Sequence, residues 1–304
     1  MLHIKKLEDG IELYKALGSE LRIEIMKLLL EKGEMNMNEI ASCLGITNGA
    51  LTSHVRKLEN CGLIQIVSEV PGHGNQKICR LSADRILIDI RNQQPEKNPN
   101  RYTVDIPVGQ YTDYDISPTC GIATAKAVIG EVDDPRYFAH PSRTQAGILW
   151  FGKGFVEYLL PNFLPAQAQP EQIILSAEIA SEAPGVNNEW PSDISFSIND
   201  VPLGNWTSPG DYGDTHGIFT PDWWFSYWNQ YGLLKTLIIN REGTFLDGQK
   251  LSDIRIGELK SPMRFRFSVT EDALHVGGLT LFGKNFGNYD QDIHLEVSWN
   301  FPIA

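Results

Sequence analysis

Two groups of residues in this sequence have the types and spacing to do chemistry. The first runs from Thr47 to Lys57. Asn48, Thr52, Ser53 and His54 carry side chains that reach base edges or phosphate oxygens, and Arg56 and Lys57 suit a phosphate backbone. Gly49 and Ala50 are small enough to let a helix start approach the floor of a DNA groove. The second group is Glu178, Glu182, Asn188, Trp190, Trp223, Trp224, Trp228, Tyr231 and Lys235. Flat rings of this kind stack on the apolar faces of sugars, and the acids, amide and amine bond hydroxyls. Glu178 and Glu182 also resemble the carboxylate pair of a glycosidase. With no nucleophile motif, phosphate loop or metal triad beside them, binding is expected rather than catalysis.

The elements that position the first group follow from helical periodicity. A helix over 7–17 places Leu7, Ile11, Tyr14 and Leu17 on one face. Ser19 caps a second helix with Leu21, Ile25 and Leu28 inward. Asn36 and Glu39 have capping-box spacing and start a third helix that buries Ile40, Ala41 and Leu44. Gly45 supplies the tight exit. Thr47 caps the fourth helix, whose inward stripe is Leu51, Val55 and Leu58. The segments IQIVSE (64–69) and KICRLS (77–82) flank PGHGNQ and predict a hairpin. After a DNA-reading helix such a hairpin is a wing, which puts His73, Asn75, Gln76 and Lys77 against flanking backbone or minor groove.

The stretches KALGSELRIEIMKLLL and NEIASCLGITNGALTSHVRKLENCGLI, with the hairpin ending in CRLS, resemble the winged-helix domain of the ArsR family of bacterial regulators over residues 10–82. The resemblance implies a homodimer on a pseudo-palindromic double-stranded DNA operator, usually a repressor released by a small effector. Dimerisation in that family uses the first helix and a helix after the wing, a role ADRILIDIRN (83–92) is expected to fill with Ile86, Ile88 and Ile90. The chain departs from the metal-sensing members. Where they carry a Cys-x-Cys ligand pair it reads MNMNEI, and neither Cys43 nor Cys61 has a His/Asp cluster beside it. No metal or other cofactor is expected, and effector sensing falls to the C-terminal part.

Composition divides the chain in the same place. The net charge is −12, yet residues 1–92 carry 12 Lys and Arg against 12 Asp and Glu, so the remainder holds all of it. An acidic C-terminal part repels phosphate. Of the 30 aromatic residues only Tyr14 lies in the first 100, and all seven Trp lie between Trp150 and Trp299. The polar stretch RNQQPEKNPNR (91–101) is the expected hinge. The expected domains are 1–92 for DNA binding and dimerisation, a linker at 93–101, and 102–304 for the effector. Four cysteines without paired short spacing predict reduced thiols. The N-terminus MLHIKKLEDG has no apolar signal segment and no run spans a bilayer, so a cytoplasmic protein without membrane contact is expected.

Beyond Arg101 the helical period gives way to alternation. DISFSIN (193–199), MRFRFSV (263–269) and IHLEVSW (293–299) alternate apolar and polar residues. Further strands are expected at 102–106, 146–151, 155–160, 172–179 and 235–239. This predicts an all-β antiparallel sandwich, jelly-roll-like. Its loops 181–193, 205–217, 220–232 and 282–292 are rich in Trp, Tyr, Asn, Asp and Gly, a composition that carries function. Trp150 and Trp299 are expected in the core. The architecture and loop composition are loosely similar to sandwich-type carbohydrate-binding modules. The expectation is a DNA-binding regulator, a repressor, controlled by a sugar or oligosaccharide. The alternatives are a carbohydrate-binding or carbohydrate-active sandwich whose winged helix serves protein contact, and a sandwich that mainly mediates dimerisation.

Overall fold

Local signals start and stop the helices of the N-terminal part. In the computed structural model, which describes residues 2–4, 6–68, 77–83, 86–88 and 100–301, these are α1 (Ile11–Leu17), α2 (Glu20–Lys32), α3 (Met37–Leu44) and α4 (Asn48–Asn60). The capping box of α3 forms in both directions, Glu39 N to Asn36 Oδ1 at 3.0 Å and Asn36 N to Glu39 Oε2 at 2.8 Å. Gly45 ends α3 in the left-handed region at φ 64°, a conformation a Cβ disfavours. Thr47 Oγ1 accepts from Ala50 N at 3.3 Å and starts α4. Ser19 stands at the cap position of α2 but makes no side-chain cap bond.

The stripes buried on α3 and α4 are close to those expected. Ile40, Ala41, Leu51, Val55 and Leu58 all lie in one core, whereas Leu44 is half-buried. The first two helices are rotated from expectation. Leu13 and Ala16 are buried while Ile11 is exposed, and residues 7–10 form a 3-10 turn. On α2 the inner positions are Arg22, Ile25 and Leu29, with Leu21 and Leu28 half-buried. The cause is Arg22, whose Nε donates to Ala16 O and whose Nη2 donates to Lys15 O, both at 2.6 Å. A charged group satisfying the last carbonyls of α1 is favoured by hydrogen bonding and the helix dipole, and it fixes which face turns in.

The strand β1 (Leu2–Ile4) precedes the helices, and β2 (Met35–Asn36) sits between α2 and α3. The expected hairpin forms from β3 (Ile64–Ser68) and β4 (Lys77–Leu81), antiparallel from Ile64 opposite Leu81 to Ser68 opposite Lys77. β2 adds to its other edge through Met35 opposite Cys79. The helix expected over 83–92 is corrected. Ile86–Ile88 is a strand, β5, parallel to β1 with Leu2 opposite Ile86. Ile86 and Ile88 recur at the two-residue period of a strand, and β1 offers a free edge. Ile90, the wing-tip residues His73, Asn75 and Gln76, and residues 93–99 of the linker lie outside the described residues.

The chain divides into two units, 1–96 and 97–304. In the second, every strand pairing is antiparallel. The strands are β6 (Arg101–Ile106), β7 (Asp113–Ala123), β8 (Ile148–Leu159), β9 (Gln169–Ala180), β10 (Ser192–Ile198), β11 (Val201–Ser208), β12 (Leu233–Ile239), β13 (Thr244–Leu246), β14 (Gln249–Ser252), β15 (Arg264–Val269), β16 (Leu279–Phe282) and β17 (Ile293–Asn300). One layer runs β11-β10-β15-β8 with β7 also on β8, and the other is built on β9 with β12 and β17 beside it. β16 bonds to both β8 and β9 and joins the layers along one side. Between them lie Tyr158, Leu175, Phe196, Leu237, Phe265 and Phe267. The two strands expected at 146–151 and 155–160 are one continuous β8, bent at Gly154 with φ 112°. A Cβ there would meet Asp115 O at 1.9 Å, so only glycine lets β7 approach.

Candidate functional site

In the N-terminal unit, α3, α4 and the base of the wing surround a groove of about 530 Å³. Asn48, Thr52, Arg56 and Lys77 line it, together with Asn38 and Glu59, which sequence reasoning did not single out, and Asn36, which it read only as a helix cap. Asn48 Nδ2 donates to Asn38 Oδ1 at 2.6 Å, tying α4 to α3 beside the groove. Thr52 Oγ1 donates back to Asn48 O and Ser53 Oγ to Ala50 O, so both hydroxyls keep lone pairs for a ligand donor. Gly49, Ala50, Ser53, Arg56 and Lys57 are exposed. His54 differs from its helix neighbours. It is half-buried, and its Nδ1 is enclosed without a hydrogen-bond partner. Burial, then the charges of Arg22 and Lys57, hold it below the ordinary imidazole value, so the ring is neutral near pH 7.

In the C-terminal unit the loops meet in a cleft of about 260 Å³ lined by Thr119, Asp133, Trp150, Glu182, Trp228 and Asn229, among others. Glu182 Oε2 accepts from Asn229 Nδ2 and Thr280 Oγ1, both at 3.0 Å, and Oε1 accepts from Thr119 Oγ1 at 3.1 Å. Burial, reinforced by the negative charge of Asp211, pushes the Glu182 carboxyl well above the usual range against the pull of these donors. Burial raises Asp211 itself to about 7. Trp150 and Trp228 lie 5.8 Å apart between ring centroids.

Only Glu182 and Trp228 of the nine expected effector residues come together in this cleft. Glu178 is buried elsewhere and accepts from the backbone N–H groups of Gly232, Asn288 and Tyr289. Burial lifts it to about 7, opposed by those donors. It staples two loops, and a Cβ on Gly287 would lie 2.3 Å from its Oε2. The two glutamates therefore form no shared acid pair. Trp224 is core, its Nε1 donating to Asn229 O at 2.8 Å, and Trp223 Nε1 donates to Ala125 O at 2.7 Å. Tyr231 stacks on Tyr212 at 5.2 Å and donates to Asp214. Lys235 pairs with Asp247 and lies 4.4 Å over the Trp206 ring. Asn188 is exposed and Trp190 half-buried, both away from the cleft lining. Trp299 is core, while Trp150 is core and cleft wall at once. Thr119 and Asp133 carried no signal in their spacing, and Asn229 had only its place beside Trp228.

Among the described residues no three His, Cys, Asp or Glu side chains converge as a metal site, and no helix is long and apolar enough to cross a membrane. All four cysteines are free thiols.

Three stacked helical segments, a tight turn, a polar fourth helix and a hairpin define the N-terminal unit as a winged helix-turn-helix, a class of DNA-binding domain. Residues 19–65 match the model of the bacterial regulatory proteins of the arsR family, which makes this unit an ArsR-type DNA-binding regulatory domain. Solved structures similar to this part include HlyU from Vibrio cholerae, 28% identical over 25% of this chain and 76% of that one, with TM-score 0.22. Another is a homodimeric winged helix-turn-helix domain of a possible ArsR-family regulator from Mycobacterium bovis, 25% identical over 25% and 67%, with TM-score 0.23. The C-terminal part is similar to a CBM36 domain of a xylanase from the hindgut metagenome of Trinervitermes trinervoides, 10% identical over 66% of this chain and 97% of that one, with TM-score 0.28. No curated protein matches the chain in sequence.

Proposed function

We propose that the chain is a transcriptional repressor that binds operator DNA as a homodimer and is released by a sugar or oligosaccharide held in the sandwich. The exposed polar face of α4 beside the groove supports the DNA half of this reading. The effector half rests on one observation: Glu182, Asn229 and Thr119 gather hydrogen-bonding groups in a cleft that the touching rings of Trp150 and Trp228 also line. Apolar walls with a few placed polar groups suit a small polyhydroxylated ligand. Glu182 is held by three protein donors, which fixes its carboxyl at the cleft wall and leaves it poorly placed to attack as a nucleophile. To switch, the effector must bind one state more tightly, with coupling on the order of 1–3 kcal/mol.

The test is gel retardation of DNA from around the protein's own gene, with and without a panel of mono- and oligosaccharides. Specific retardation at moderate salt, relieved by one sugar class and insensitive to it in Glu182→Ala, is expected. Absence of specific retardation would sink the regulator reading. It would favour a sugar-binding or sugar-active sandwich whose winged helix contacts protein, an alternative supported by the zero net charge of residues 1–92. Retardation with no sugar response would favour a sandwich that serves dimerisation.

A further inference from the structure

An aromatic surface adjoins the cleft through Trp228 and lies outside its lining. Trp228, its half-buried wall, has its ring 5.0 Å from that of Phe225. Phe225 in turn stacks with Tyr227 at 5.3 Å and 22°. Phe225 is 46% exposed and Tyr227 59% exposed, so the row of rings runs from the core at Trp150 out to solvent. Single exposed rings are common on protein surfaces, but a contiguous series leading out of a cleft is not explained by packing.

The series is also held in place from within. Gln230 Nε2 donates to Phe225 O at 2.8 Å and to Trp228 O at 2.9 Å, and Trp228 N donates to Phe225 O at 3.0 Å. Trp224 Nε1 donates to Asn229 O from the core side. A loop whose turn is fixed by its own buried side chains presents its outer rings without an ordering cost on binding. The cleft itself, at about 260 Å³, is smaller than the roughly 300–1,000 Å³ of sites that enclose a drug-sized molecule. It accommodates one small ring.

We propose that Phe225 and Tyr227 form a second subsite, so that the ligand is a neutral oligosaccharide with one unit in the cleft and later units stacked on the exposed rings. This rests on the sugar reading above. The test is calorimetric titration of the full-length protein with gluco-, manno- and xylo-oligosaccharide ladders of increasing length, for wild type and for Phe225→Ala/Tyr227→Ala. Both residues are exposed, so the variant should keep the wild-type thermal midpoint. The wild type should gain about tenfold in affinity between the shortest bound ligand and its longer homologues, the range expected for added ring stacking. The double variant should lose that gain while binding the shortest ligand as before, and Trp228→Ala should weaken both. A ladder without length dependence, or one unchanged in the double variant, overturns the subsite and leaves the sugar reading standing. Failure of every sugar to bind at millimolar concentration overturns both. Self-association of the wild type that the double variant abolishes would overturn the subsite in favour of contact between copies.

Discussion

Asn48, the first residue of α4, donates its side-chain amide to Asn38 on α3 at 2.6 Å. The bond links the two helices of the helix-turn-helix across the turn through Gly45, at the end that faces the groove. Asn38→Ala should therefore let α4 drift and weaken operator binding by about three- to tenfold, while costing no more than about 1 kcal/mol of stability, the net worth of one exposed hydrogen bond. Gel retardation and urea unfolding measure the two. Unchanged DNA affinity would show that the link does not position α4.

Arg56 and Lys77 line the same groove and are exposed. Replacing either by Ala should reduce the slope of log affinity against log salt by about one unit. His54→Ala should leave that slope alone, because burial and neighbouring cations keep the imidazole neutral. Titrations across a range of salt concentrations distinguish these cases. A fall in slope for the histidine variant would mean that the ring is charged on DNA.

Arg22 is buried and bonded to two carbonyls at the end of α1. Arg22→Met should destabilise the N-terminal unit by about 2–4 kcal/mol, since two charge-assisted bonds go and two carbonyls lose their donor. Arg22→Lys should recover only part, having a single point of donation. Helical circular dichroism during urea unfolding follows this unit selectively, because no α-helix occurs among the described residues of the other.

Asp211 gives the sandwich a pH dependence. Its folded-state value is raised to about 7 from 3.8, so the folded form holds a proton that the unfolded form releases. The resulting stability is full below about pH 4 and is lost as pH rises through about 7, with a ceiling of about 4 kcal/mol for a shift of this size. Glu178 and Glu182 are raised too and act in the same direction. Calorimetric unfolding should therefore show a lower midpoint at pH 8 than at pH 5, and Asp211→Asn should shrink the difference. A midpoint that climbs between those values would contradict the burial argument.

What the sequence disclosed depended on how far apart the interacting residues lie. The capping box of Asn36 and Glu39, the Thr47 cap and the exit at Gly45 act within four residues, and all were legible. The strand at Ile86–Ile88 pairs with Leu2–Ile4, more than 80 residues away, and the family resemblance suggested a helix there. The two-residue recurrence of isoleucine was the better guide. Glu178 and Glu182 are four residues apart, yet their donors come from residues 119, 229, 232, 280, 288 and 289. Composition announced an aromatic loop, but not that Trp224 is buried and donates to Asn229 O while Tyr227 stands exposed.

The clustered indoles of Trp150, Trp224 and Trp228, with centroids between 4.8 and 5.8 Å apart, have an optical consequence. All seven tryptophans belong to the C-terminal unit, so tryptophan emission reports on that unit and not on the DNA-binding part, and two of the seven line the cleft. Coupling between two sites is reciprocal. If a ligand in the sandwich alters operator affinity, operator DNA added alone must alter the ligand's affinity, and tryptophan emission during ligand titrations with and without DNA reads that exchange without a label.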